Sequence, residues 1–138
     1  MSVLRKILLA ALACTVLGAE AAEWYVAANG NDSSAGTAAA PLATLAAAIA
    51  KASAGDTVWI GDGTFSGGVT VSKNIVIRSL NGAARTQLTG GGATGLSMTA
   101  GTVRGLTIKG YSTAGVQFQH SAPGQTIRAQ DCIFTSCA

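Results

Sequence analysis

Enzymes and metal sites need side chains that trade protons, attack carbon or hold a cation, and this chain of 138 residues carries few of them. Beyond residue 21 the carboxylates are Glu23, Asp32, Asp56, Asp62 and Asp131, and none lies within five residues of another. Calcium takes roughly six to eight oxygen ligands, so no sequence-local cluster supplies one. Asp32 sits in a polar loop and Asp56 just before a strand, where an aspartate most often bonds a turn or a cap. His120 stands between Gln119 and Ser121 and reads as a solvated loop histidine, since no Ser, His and acid constellation follows from spacing.

Cys132 and Cys137 form an even pair. On one extended strand their alpha carbons would lie ~16 Å apart, against a limit of ~7 Å for a disulfide, so pairing needs a turn between them. With His120 they fall short of a tetrahedral zinc set. Gly90, Gly92 and Gly95 match G-x-G-x-x-G, but a strand pattern follows where a nucleotide site needs a helix amino end, which leaves a flexible corner. Asn31-Asp32-Ser33 matches the glycosylation sequon, and loop chemistry accounts for the same three residues without a sugar. No catalytic residue, metal site or cofactor is assigned on these grounds.

The elements that would have to position any site are more legible. With 49% hydrophobic and 11% charged residues the chain can bury enough apolar surface to offset its entropy, which excludes a disordered tail. Nine basic and six acidic side chains give a net charge of +3 without a basic stripe, which argues against a nucleic-acid partner.

Residues 1–21 read as a secretory signal. Arg5 and Lys6 precede an apolar run from Ile7 to Leu17, too short for the ~20 residues of a membrane span. Ala19, Glu20 and Ala21 supply the small-x-small pattern of a signal peptidase, which places cleavage after Ala21, with the neighbouring bonds as alternatives. The mature chain would start at Ala22, extracellular or periplasmic, with no membrane span. The alternatives are an amino-terminal core helix and a lipoprotein anchored through Cys14.

Residues 22–56 hold a strand at Trp24 to Val26, a loop from Asn29 to Gly36 and one helix from Pro41 to about Ser53, ended by Gly55. From residue 57 to 138 the period changes to two. Val58 and Ile60, Val69 and Val71, Ile75 and Ile77, then Leu96 and Met98 alternate with other residues. A ten-residue repeat stands out: Gly95-Leu96-Ser97-Met98-Thr99, Gly105-Leu106-Thr107-Ile108-Lys109 and Gly115-Val116-Gln117-Phe118-Gln119. Strands this short bury an apolar row only by stacking on one another, which predicts an all-β solenoid. The competing architecture is an antiparallel sandwich or barrel.

The stretch Tyr25-Val26, Asn29-Gly30-Asn31-Asp32, Gly36-Thr37, Pro41-Leu42, Thr44-Leu45, Ala48-Ile49, Ala54-Gly55-Asp56-Thr57-Val58 and Gly63-Thr64-Phe65 resembles the opening of secreted right-handed parallel β-helix proteins. This is the pectin-lyase-like superfamily, and the resemblance covers most of the mature chain. It implies a right-handed parallel β-helix with an amino-terminal strand and one α-helical cap; at the other end Asp131-Cys132-Ile133-Phe134-Thr135 reads as another strand with no capping pattern after it, which is expected to leave an incomplete carboxy end open to self-association. It implies roughly 20 to 30 residues per coil. For the family's lyases it also implies a Lys or Arg base and calcium on clustered acids, neither of which maps onto residues here. The implied roles are a structural or carbohydrate-binding segment without a complete active site, the amino-terminal part of a polysaccharide (pectate-type) lyase, or a surface adhesin or passenger solenoid.

If Ile75, Ile77, Leu106, Ile108, Val116 and Phe118 point inward, then Arg78, Lys109, Gln117 and Gln119 point outward, with Trp59 in the same phase. These five residues are the candidate site. On one face they would bind an acidic polysaccharide by charge-assisted hydrogen bonds and stacking.

Overall fold

The computed structural model describes residues 20–90, 92–119 and 123–135. The elements are β1 (Glu23–Val26), α1 (Leu45–Lys51), β2 (Thr57–Ile60), β3 (Gly63–Ser66), β4 (Val69–Val71), β5 (Val76–Ser79), β6 (Thr86–Thr89), β7 (Thr94–Met98), β8 (Gly101–Arg104), β9 (Thr107–Lys109), β10 (Ala114–Phe118), β11 (Ile127–Gln130) and β12 (Ile133–Thr135). They form three sheets, ordered β1-β2-β5-β8-β11, β4-β7-β10 and β3-β6-β9-β12. Every pairing between these strands is parallel. The chain visits the three sheets in turn and comes back one level up, which is a parallel β-solenoid.

Each coil stacks like residues. Trp24, Val58, Ile77, Val103 and Ala129 form one inward column on the five-stranded sheet. Phe65, Leu88, Ile108 and Phe134 form another, and Val71, Met98 and Phe118 a third. The core is a stack of aliphatic rungs that each strand is too short to bury alone. Two buried threonine hydroxyls are bonded: Thr86 donates to the Gly61 carbonyl at 2.9 Å and Thr107 to the Ala83 carbonyl at 2.7 Å.

The ten-residue repeat is not one coil. Val58 to Ile77 spans 19 residues and Val69 to Leu96 spans 27, in keeping with the expected coil length. The Gly95 and Gly115 copies stack as β7 and β10, while the Gly105 copy leads into β9 on a different sheet. Ten residues is half of this 20-residue coil, passing over β8 between the first two copies and returning to the three-stranded sheet at the third. The glycines fit their corners for two different reasons. A Cβ on Gly95 would lie 2.6 Å from the Gly115 carbonyl oxygen, and Gly105 has φ +65.

The helix is shorter than expected. Thr44 is its cap, with its hydroxyl accepting the Ala47 N–H, so Pro41 stands before the helix rather than at its first position. It stops at Ala52, where the backbone turns extended, ahead of Gly55. A seven-residue helix is marginal by itself. It holds because Leu45, Ala48 and Ile49 bury against the first coil, and because Lys73 donates to the Ile49, Ala50 and Ala52 carbonyls at 2.9, 3.2 and 2.7 Å.

Phe118 departs from the expected inward burial. It aligns with Met98, which is fully buried, yet Phe118 is 54% exposed. The register position is the inward one, and no described residue covers it from above. His120 and Cys137 lie outside the described residues, as does all but the end of the signal segment.

Candidate binding face on the five-stranded sheet

Outward positions on the five-stranded sheet also align. Tyr25, Trp59, Arg78, Arg104 and Gln130 occupy successive levels of one column, and Glu23, Thr57, Val76, Thr102 and Arg128 the column beside it. Strand alternation dictates this, because residues two apart share a face and parallel in-register pairing repeats that face at every coil.

Contacts along the ladder fix its side chains. The Arg78 guanidinium lies 4.4 Å from the Trp59 ring centroid, a cation–π stack. Glu23 holds the aromatic edges, accepting from Trp59 Nε1 and from the Tyr25 hydroxyl, both at 3.2 Å. Desolvation, followed by that nearby carboxylate, pushes the Tyr25 phenol above its ordinary value. Arg104 meets Asp131 at 3.4 Å, an exposed pair worth little in stability. Asp131 takes φ 52, the one positive value among described non-glycine residues.

Arg78 is the member left over. Its Nε is buried without a hydrogen-bond partner, and no carboxylate among the described residues pairs with it. It stacks directly below Arg104, a like-charge neighbour, which disfavours the bare arrangement. A cleft of about 230 Å³ opens beside both arginines, lined by Arg78, Ser79, Leu80, Gly82, Arg104, Gly105 and Asp131. Asp131 already answers Arg104 from the wall of this cleft, so an anion seated there would answer the Arg78 guanidinium.

Of the five residues expected from the sequence, the fold brings together Trp59 and Arg78. Lys109 ends β9 on the four-stranded sheet, and Gln117 lies on β10 and Gln119 just after it, on the three-stranded sheet. The five therefore do not share a face. Alternation tells inward from outward, but with three sheets per coil there are three outward faces, and spacing does not say which. Tyr25, Glu23, Arg104 and Asp131 were missed for the converse reason. They join Trp59 only through register, and the unequal coil lengths hide that register from any fixed period.

Calcium, implied by the resemblance for the lyases, finds no fitting donor set. Among the described residues no three His, Cys, Asp or Glu side chains converge. The acids are committed elsewhere. Asp32 accepts from the Ala43 and Thr44 N–H groups and the Thr44 hydroxyl, each at 2.9 Å. Asp62 accepts from Asn81 at 2.8 Å and Arg85 at 3.3 Å. Asp56 takes three donors at the base of the cap. A larger cleft, of about 360 Å³, lies between α1 and β4, and its one cation, Lys73, is already spent on the helix carbonyls.

A profile described as protein of unknown function (DUF1565) matches residues 28–131. The chain belongs to that family. The match contains Trp59, Arg78, Arg104 and Asp131, while Glu23 and Tyr25 precede it. No curated protein and no solved structure matches the chain significantly. No helix among the described residues is long and apolar enough to cross a membrane.

Proposed function

We propose that this DUF1565 chain is an exported, pectin-lyase-like β-helix segment that binds acidic polysaccharide along the Tyr25–Trp59–Arg78–Arg104 ladder. The observation that carries this reading is Arg78: an arginine stacked on an indole, with a buried unbonded Nε and a second arginine directly above it. A uronate fits that arrangement chemically. Its carboxylate accepts charge-assisted hydrogen bonds from a guanidinium fork, and its ring face stacks on Trp59 or Tyr25. The coil-to-coil repeat sets successive arginines one strand spacing apart, ~4.8 Å, so two levels act on one sugar unit or its immediate neighbour.

The test is titration calorimetry of the chain with a polyuronate and, as a control, a neutral glucan. Binding is expected for the polyuronate alone, weakening as salt rises. Arg78→Ala should cost about tenfold or more in affinity, given about 1.5–3 kcal/mol for a hydrogen bond to a charged group. Lys109→Ala, on another sheet, should cost nothing measurable. Equal losses from Arg78→Ala and Lys109→Ala would show nonspecific attraction and end the reading.

A further inference from the structure

At the carboxy-terminal flank of the cap Asp56 takes three donors and is buried, 6% exposed. Its Oδ2 accepts from Trp24 Nε1 at 3.0 Å and from the Ser53 N–H at 2.8 Å, while Oδ1 accepts from the backbone nitrogen of Ala22 at 2.9 Å. The Ala22 carbonyl in turn accepts from the Thr57 N–H at 2.9 Å. Ala22 is thus where the chain locks onto the solenoid, held at both its backbone groups. Glu20 and Ala21 just before it are exposed.

The sequence puts the scissile bond at this same place. Ala19, Glu20 and Ala21 form the small-x-small pattern, and cleavage after Ala21 makes Ala22 the first residue. We propose that leader removal between Ala21 and Ala22 completes the fold by placing the new α-ammonium of Ala22 on the Asp56 carboxylate. The chemistry is ordinary hydrolysis by a leader peptidase: water adds across the Ala21–Ala22 peptide bond, Ala21 leaves with a carboxylate, and the Ala22 nitrogen takes up protons. A neutral N–H with a single proton to donate becomes a cation with three, already at hydrogen-bonding distance from a largely buried anion.

The charged group whose field also reaches Asp56 is Lys73, itself held by the helix carbonyls. Glu23, next to Ala22 in sequence, turns to the outer face and engages Trp59 and Tyr25. The ammonium therefore adds a second positive charge where one carboxylate already joins β1, the end of α1 and the start of β2. Processing and the tightening of the cap become one event. The inference rests on the export reading and is independent of any polysaccharide.

The experiment begins with intact mass and amino-terminal sequencing of the exported protein, expected to begin at Ala22. Three purified forms are then melted at pH 6.5: the chain from Ala22 with a free amine, the same chain acetylated at that amine, and the chain retaining Ala21. The free-amine form should melt highest, by roughly 3–6 °C for each kcal/mol the ion pair adds in a domain of this size. Asp56→Asn should erase the gap. In the unsubstituted mature protein, NMR titration of the Ala22 amine should give a value above the ordinary ~7.7–8.0. No cleavage overturns the export premise and the inference with it, while a mature end at a residue other than Ala22 overturns the inference and leaves export standing. An end at Ala22 with equal melting of all three forms and an ordinary amine titration overturns the ion pair alone.

Discussion

The two ends of the solenoid carry the same kind of inward residue and treat it differently. Phe65, in the first coil, and Phe134, in the last, stand in one column with Leu88 and Ile108 between them. Phe65 is 4% exposed and Phe134 49%. At the amino end α1 lies over the first coil, Lys73 closes the helix carbonyls, and Asp32 and Asp56 bind its two flanks. At the carboxy end Phe118, Ile133 and Phe134 are about half exposed on the last described rung, and β10, β11 and β12 each pair with one neighbour. Burial in a solenoid is a property of the level above and below as much as of the residue.

The largest test of that contrast is a pair of identical substitutions. Phe65→Ala should cost about 3–5 kcal/mol, the range for a buried phenylalanine whose site cannot collapse. Phe134→Ala should cost a fraction of that, because half its surface is already in water. Urea midpoints of the two variants measure the difference, and equal losses would mean that the last rung is as closed as the first.

Acid should also distinguish the ends. Hydrogen bonds from the Ser53 N–H, the Trp24 indole and the Ala22 N–H hold the Asp56 carboxyl below the usual range, against the upward push of desolvation. For Asp32 desolvation again pushes upward, and the bonds from Thr44 and Ala43 outweigh it. A carboxyl depressed in the folded state stabilises it in full above its unfolded value, about 3.9 for aspartate, and loses that contribution as pH falls through the folded value. Below about pH 4 the cap should therefore loosen before the middle coils. Amide exchange at pH 3 should speed up along α1 more than along β9, with β6, which follows the Asp62–Arg85 contact, between them. Uniform acceleration would place the acid-sensitive carboxylates elsewhere.

The same contrast explains what the sequence revealed. Alternation at Val58 and Ile60, or Leu96 and Met98, marks inward residues reliably because two-residue strand periodicity is local. The solenoid was legible from the repeat of short strands opened by glycine and its parallel pairing from the family resemblance, while the antiparallel sandwich or barrel stayed open until the strand register excluded it. The cap was legible from its apolar spacing, though its start was displaced from Pro41 to Thr44, where a side-chain oxygen satisfies a free N–H. The site was half legible. Trp59 and Arg78 are separated by one coil and share a phase, whereas Arg104 joins them across a coil of different length, which only backbone register reveals. Phe118 was assigned the right direction and the wrong burial, because exposure at an end depends on what covers the last rung.

The smallest expected effect on stability is at that open rung, and it has a separate readout. Exposed parallel strand edges beside exposed apolar side chains favour association with another edge. At the amino end Leu42 bridges Val26 of β1 and α1 packs on the first coil, so the large apolar side chains left exposed on a terminal rung are those of the carboxy end. Contact between two copies would therefore run carboxy end to carboxy end, which a two-fold axis permits and which closes at a dimer. Sedimentation velocity should show a concentration-dependent rise toward a dimer, lost in the double variant Phe118→Ser, Phe134→Ser, with the melting temperature nearly unchanged. Association that survives the double variant would move the contact away from this end. A single species at every concentration would show that the open rung is tolerated in water, leaving the coils beneath it to hold the last strand in place.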